Sequence, residues 1–483
     1  MPETDKLFIN GIDGATGQYL VPPFEPTEVL AYLKEAPSDP AISRFLRRVW
    51  QRISAAFLGL PDGVDPADIT QAGWAVVYHQ DEDQAVRDAL APLVEHRRRQ
   101  IGDESIVKVL TYEDGEDRRN WLARHDVAAG NVEPTKVPYY LLLVGSPERI
   151  PFLFGHLLDV EYAVGRLHFD TAEAYAAYAD SLIRYETGDT VPNGKEVVYW
   201  SPRHRSDVAT WMSADLLVNG LAGGAPASEG GDIAQQRGFR THKIWGDEAT
   251  KGALLDVLTP GAGGRPPALL FTASHGHGLQ PSEGFERQLT DQGALIGQDW
   301  PGPGSPVEAK HYLAARDLLA ADARVHGMIA FMFACYGAGT PSVDRFLHRA
   351  GEPPPVIAQE SFFAALPKAL LSYPGGGALA CIGHVERAWG YSIRPDTDSP
   401  QLLPFKNALS RMLRGEPVGH AMKDFSERYA FLSTDLNSKL EELSFGGHVP
   451  DKELALNWIE RNDAEGYAVI GDPAAKLRVQ DLE

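Results

Sequence analysis

Cysteine is nearly absent: the 483-residue chain has two, Cys335 and Cys381. So few thiols exclude a disulfide framework and leave only two candidates if sulfur carries chemistry. Long apolar runs are missing as well. The longest, Tyr139–Gly145 and Met328–Ala334, fall far short of the roughly 20 residues of a membrane-spanning helix, so no membrane partner is expected. Basic residues are in deficit, with 45 Lys and Arg against 66 Asp and Glu, for a net charge of −21. Repulsion between like charges argues against a nucleic-acid partner. The plain meaning of the acidity is a well-solvated surface. The first residues, Met1 to Lys6, lack a basic stretch leading into an apolar one. The expectation is a cytoplasmic protein without a secretory signal.

The remaining composition, 43% apolar and 23% charged, is that of an ordinary globular protein, and the length predicts two or three packed units. Residues 1–70 read as an N-terminal segment with helices at Glu28–Lys34 and Ser43–Leu58. Three roles stand open for it: inhibitory pro-segment, docking surface, or part of the core. Residues 71–190 alternate predicted strands (Trp74–Tyr78, Val107–Thr111, Tyr139–Gly145) with predicted helices (Ala85–Gln100, Arg118–His125, Ala172–Glu186). From 191 to 400 the alternation restarts. Strands are predicted at Val197–Trp200, Phe239–Trp245, Ala268–Ala273, Met328–Ala334 and Ala378–Gly383. Helices are predicted at Asp207–Leu221, Thr250–Leu258, His311–Ala320 and Ser361–Ser372. Residues 401–483 are largely helical and close on a short strand, Tyr467–Ile470. Apolar strands alternating with helices predict an α/β fold, a mostly parallel sheet flanked by helices on both faces and preceded by a second, smaller α/β subdomain.

Two of these strands end alike. Ala268–Ala273 breaks into Ser274-His275-Gly276-His277-Gly278, and Met328–Ala334 breaks into Cys335-Tyr336-Gly337-Ala338-Gly339. In an open parallel sheet, ligands bind beyond the carboxyl ends of the strands. If the two strands are neighbours, a thiol and an imidazole emerge on one edge. These residue types suit acyl transfer, with a thiolate nucleophile and an imidazole that takes and returns its proton. Glycines beside both groups let a peptide backbone approach, and the N–H groups of Gly276 and Cys335 are the candidate oxyanion hole. Cys381, inside an apolar strand, reads as core.

An apolar strand ending in His-Gly, then another ending in Ala-Cys, resembles the signature of caspases, metacaspases, legumains, separases and gingipains. Further segments resemble gingipain-type peptidases: Leu141–Gly145, Ile150-Pro151, Tyr162–Leu167, Ala172-Glu173, Arg184-Tyr185-Glu186 and Tyr467–Pro473. The resemblance covers roughly residues 70–475, mostly as pattern. It implies a caspase-like fold and a thiol endopeptidase with a Cys335–His275 dyad, acting on a protein or peptide substrate. It leaves open a calcium requirement, as in some relatives, and otherwise implies no cofactor. Secreted gingipains carry a signal and a C-terminal sandwich module that are not seen here, which favours a regulatory, intracellular role.

His277 also precedes a glycine, but His275 follows the strand directly and is the preferred catalytic histidine, leaving His277 to shape the cleft. A zinc reading of His275, His277 and His384 has neither a metalloprotease helix motif nor paired cysteines behind it, and no metal is expected. Acidic candidates for a pocket that receives a basic P1 residue (the one before the cut) are Asp291, Asp299, Asp344 and Glu386, with Trp389 as a wall. Arg345 and Arg349 lie in the Gly/Pro-rich stretch Gly337–Pro355, where an upstream protease, or the enzyme itself, could cut a zymogen. The competing readings are an inactive scaffold of the same fold and a thiol acyltransferase or transpeptidase.

Overall fold

Ten stretches rich in β-branched, aromatic and leucine residues pair edge to edge in the structure, a computed structural model. It describes residues 6, 10–25, 28, 60–128, 130–224, 231–261, 263–346, 353–390, 393 and 400–483. The helix predicted at Ser43–Leu58 lies outside the described residues, as does that at Glu28–Lys34 apart from Glu28.

The strands are β1 (Trp74–His79), β2 (Val107–Tyr112), β3 (Tyr140–Val144), β4 (Ala163–Leu167), β5 (Gly194–Ser201), β6 (Arg240–Trp245), β7 (Pro267–Ala273), β8 (Ile329–Phe333), β9 (Ala380–His384) and β10 (Tyr467–Gly471). They form one sheet in the order β2-β1-β3-β4-β10-β9-β8-β7-β5-β6. Central strands such as β3, β7 and β8 are buried along their whole length, which is why they read as unbroken apolar runs.

The sheet has two directions. β1 to β4 run parallel with β10, and β5 to β9 run parallel with one another. The antiparallel pair β9–β10 joins the halves, with His384 opposite Tyr467. The carboxyl ends of β1 to β4 therefore point to the edge away from His275 and Cys335. Only the second half offers its ligand-binding edge to the candidate site.

The first half is bound to the returning strand β10 by buried charge. Arg97, on helix α1 (Gln84–Ile101), is fully buried and donates to Asp472 at 2.9 Å and to Glu186 at 2.7 and 2.9 Å. Glu186 belongs to helix α2 (Ala172–Thr187). Asp472 follows β10 and also accepts from Trp74 Nε1 at 3.0 Å, while its N–H donates to Tyr178 Oη at 2.6 Å. Arg166 on β4 is buried too and donates to the Ile150 and Pro151 carbonyls. At Gly165 a Cβ would lie 2.2 Å from the Gly471 carbonyl oxygen. The short gingipain-like segments thus meet one another in space as packing and ion-pair partners, away from the thiol.

Two predicted helices start later than the sequence suggests. Within His311–Ala320, Tyr312–Leu313 pairs antiparallel with Leu295–Ile296, and helix begins only at Ala315. Within Ser361–Ser372, Phe362–Phe363 pairs with Gly339–Thr340, and helix begins at Ala365. In both, burial against the strand-end loops overrides local helix propensity. The displaced residues pair with the loops that follow β7 and β8. Among the described residues no helix is long and apolar enough to cross a membrane.

Candidate active site

β7 and β8 are adjacent and parallel, with Ala273 opposite Phe333. His275 and Cys335 therefore leave the sheet side by side, each two residues past its strand. Both side chains are buried. The turn after Cys335 is tight: Tyr336 has φ +59° and Glu386, after β9, has φ +75°. The Tyr336 N–H donates to the Glu386 carbonyl at 2.6 Å. Left-handed backbone at non-glycine residues is costly and tends to mark functional sites.

The imidazole is held at both nitrogens. His275 Nε2 lies 2.6 Å from Asp207 Oδ2, and both side chains are fully buried. Asp207 caps a helical segment that starts at Val208, accepting the Ala209 N–H at 3.1 Å. It also accepts the Tyr19 hydroxyl at 2.5 Å. Burial alone would raise the Asp207 carboxyl, but the neighbouring His275 and the hydrogen bonds from His275 and Tyr19 outweigh it and hold the group well below the usual carboxylate range. On the other side, the Gly11 N–H donates to His275 Nδ1 at 3.0 Å. Nδ1 is thus an acceptor, and the ring proton sits on Nε2, facing Asp207. Trp300 and Tyr19 stand edge-on to the ring, at 6.0 and 5.9 Å between centroids.

The thiol faces the same peptide group. Cys335 Sγ donates to the Asn10 carbonyl at 2.7 Å and accepts the Ala388 N–H at 3.2 Å. Burial pushes the thiol up to about 12, so at neutral pH it is protonated. Gly276 lies against the Cys335 carbonyl, where a Cβ would be only 1.8 Å from the oxygen. Among the described residues, neither the Gly276 nor the Cys335 N–H is engaged by a backbone acceptor.

The other sequence candidates divide. His277 is buried, stacks on Tyr312 at 4.4 Å, and is lowered to about 4, mainly by burial. Its Nε2 would lie 2.1 Å from a Cβ at Gly14, so it abuts the N-terminal segment. His384 sits 3.1 Å from Asp463. The three histidines do not converge on one point; among the described residues the one His/Asp group with metal-like spacing is His79, Asp81 and Asp114.

The acidic candidates are engaged elsewhere. Asp291 accepts from Tyr312 and Arg316, and Asp299 accepts the exposed Lys251 N–H at 2.6 Å, at a helix start. Asp344 and Glu386 both pair with Arg387 at 2.7 Å, next to the thiol. Burial and the neighbouring Asp344 push the Glu386 carboxyl up. Trp389 packs edge-on against Trp458 and Phe346, and its N–H donates to Asp463 at 2.8 Å. Arg345 pairs with Glu465 at 3.4 Å; Arg349 lies outside the described residues. Cys381 is buried in β9.

Sequence reasoning missed Asp207, Tyr19 and the Asn10–Gly11 peptide. Asp207 had one local signal, an Asp before a helix beyond the end of a strand. The other two had none.

No family model matches the chain, and no curated protein matches it. Several solved structures are similar in shape. One is described as a protease, at 12% identity over 83% of this chain and 78% of that one, TM-score 0.44. A second is the complex of RgpB pro- and mature domains from Porphyromonas gingivalis, at 13% identity, 84% and 80% coverage, TM-score 0.45. A third is the separase–securin complex from Saccharomyces cerevisiae, at 11% identity, covering 69% of this chain and 15% of that one, TM-score 0.30. The large, mainly parallel sheet flanked by helices is the α/β architecture that the alternation of apolar strands and helices predicts.

Proposed function

We propose that the chain is a cysteine endopeptidase in which Cys335 is the nucleophile and His275 the general acid and base. One observation carries this reading. Thiol and imidazole, from the ends of adjacent parallel strands, meet the two ends of a single peptide group, sulfur at its carbonyl and Nδ1 at its N–H. Acyl transfer from an amide needs groups of these types at these two ends, since sulfur must attack the carbonyl carbon and an imidazole must return a proton to the leaving nitrogen.

In this mechanism His275 takes the Cys335 proton at Nδ1 as sulfur attacks, while Asp207 holds the ring and offsets its charge. The uncommitted N–H groups of Gly276 and Cys335 are the donors assigned to the developing oxyanion. Nδ1 then protonates the departing amine, and water resolves the thioester. Each acidic residue expected to receive an Arg or Lys before the cut is engaged by another group of the chain. Asp344 and Glu386, the acidic residues beside the thiol, are already paired with Arg387.

The test is hydrolysis of a positional-scanning fluorogenic peptide library by the native chain and by Cys335→Ala, with and without calcium. Hydrolysis that disappears in the variant supports the peptidase. Transfer of the acyl group to added amines in place of water would favour the transpeptidase reading. Equal behaviour of the two proteins would leave the scaffold reading.

A further inference from the structure

The cleft is occupied by the chain itself. The Asn10 N–H donates to the Ala388 carbonyl at 3.2 Å, on the loop that follows β9. Beyond the Asn10–Gly11 peptide, Ile12–Asp13 pairs in parallel with His277–Gly278. The N–H of Gly14 then donates to the Gly278 carbonyl at 2.8 Å. The chain therefore passes over the thiol with backbone hydrogen bonds on both sides of it, and Ile12–Asp13 is paired as in recognition by strand addition.

The residues at the crossing fit the chemistry. Gly11 has φ +110°, and a Cβ there would lie 3.0 Å from Cys335 Sγ and 2.9 Å from Leu20 Cδ1. Only glycine lets the thiol come this close. The Asn10 side chain is buried, and its Oδ1 finds no hydrogen-bond partner among the described residues. Burying an unpaired amide oxygen costs free energy, so the side chain's placement follows from the position of the peptide bond between Cys335 and His275. The fit around it is tight. A Cβ at Gly390 would lie 3.2 Å from Asn10 Oδ1 and 2.8 Å from Met212 Cε. Met212 opens the π-helical stretch Met212–Val218, a distortion often found at functional sites.

We propose that the Asn10–Gly11 bond is the enzyme's own substrate, cut by Cys335 of the same molecule, and that the cleft accepts asparagine as the residue before the cut. This rests on the peptidase reading above. Sulfur attacks the Asn10 carbonyl carbon and its proton passes to His275 Nδ1. The C–N bond breaks, and the proton goes on to the Gly11 nitrogen, leaving a thioester on residue 10. Water then adds to that carbonyl, the S–C bond breaks and sulfur regains a proton. The products are a peptide ending in the Asn10 carboxylate and a chain beginning at the Gly11 amine. The downstream part stays: Ile12 is fully buried, Tyr19 remains on Asp207, and Phe24 packs in the cluster of Trp389 and Trp458. The cut thus opens the upstream half of the cleft. Cleavage of a second protein further requires Ile12–Asp13 to leave His277–Gly278.

The test follows intact mass and N-terminal sequence of the freshly made full chain over time, in parallel with Cys335→Ala and Cys335→Ser. Matching circular dichroism spectra establish that the variants fold. The expected result is a new terminus reading Gly11-Ile12-Asp13-Gly14, formed at a rate independent of dilution and absent from both variants. Asn10→Lys should slow the cut by at least about tenfold, because the buried, closely packed position resists a longer, charged side chain. A native chain that stays whole while the same sample hydrolyses peptides through Cys335 overturns this proposal and leaves the peptidase standing. A chain that does neither overturns both. A cut that persists in the Cys335 variants, or that is made only between molecules, also overturns it.

Discussion

Asp207 Oδ2 and His275 Nε2 lie 2.6 Å apart with both side chains fully buried, so the His275 imidazole is oriented by a carboxylate from a different strand end. Nε2 carries the ring proton toward Asp207, and Nδ1, which accepts the Gly11 N–H, is the nitrogen proposed to exchange the Cys335 proton. Asp207→Asn should lower Cys335-dependent turnover by roughly 10²–10⁴-fold, the range of positioned acid–base catalysis. The effect should fall on kcat, with Asp207→Glu recovering part of it; steady-state kinetics on a peptide substrate decide. An Asn variant with full activity would remove Asp207 from the mechanism.

Cys335 is a protonated thiol in the structure, pushed up to about 12 by burial and covered by Asn10 and Gly11. At pH 8 its alkylation by iodoacetamide in the uncut chain should be about two to three orders of magnitude slower than that of an ordinary cysteine, because the thiolate is the reactive form. Mass spectrometry of the Cys335 peptide over time measures this. Reaction should quicken after the Asn10–Gly11 bond is cut; a rate equal to that of free cysteine in the uncut chain would contradict the closed site.

Gly276 touches the Cys335 carbonyl so closely that an added methyl would meet the oxygen at 1.8 Å. Gly276→Ala must displace the turn that carries His275. We expect folding to survive with a loss of about 1–3 kcal/mol, as for overpacked sites, and activity to fall more than about 100-fold through misalignment. Denaturant titration and kinetics separate the two effects.

The Arg97–Glu186–Asp472 clasp should dominate acid stability. Burial would raise Glu186, but the Arg97 charge and the hydrogen bonds from His96 and Arg97 outweigh it and bring the carboxyl down to about 2. A carboxylate depressed in the folded state stabilises the fold above its ordinary value, near 4.3, and this contribution is lost as pH falls through the window toward about 2. Urea midpoints measured from pH 5 down to pH 2 should fall steeply in the native chain and less so in Glu186→Gln. Arg97→Ala, which leaves two buried carboxylates uncompensated, should cost about 3–5 kcal/mol at neutral pH.

The strand-end histidine and cysteine were legible because a buried parallel strand is an apolar run, and each candidate lies within two residues of the end of its run. The same pattern located β7, β8 and β9 to within a few residues. It did not show that the chain's two halves form one sheet with opposed directions, since strand polarity across the β9–β10 seam depends on where the chain returns after more than 80 residues of loop and helix. It also misread Tyr312–Leu313 and Phe362–Phe363, whose extended form comes from partners outside their own segments.

Amino-acid order alone set the fold class, the scarcity of thiols and the pair Cys335 and His275, because each depends on local periodicity or on a count. Tertiary structure alone decided that Asp207 orients the imidazole, that Arg387 engages Asp344 and Glu386, and that Asn10–Gly11 lies across the thiol. Apart from the adjacent Glu386–Arg387 pair, these contacts join residues between 43 and 325 positions apart, and no local pattern encodes a meeting that only the closure of the sheet brings about.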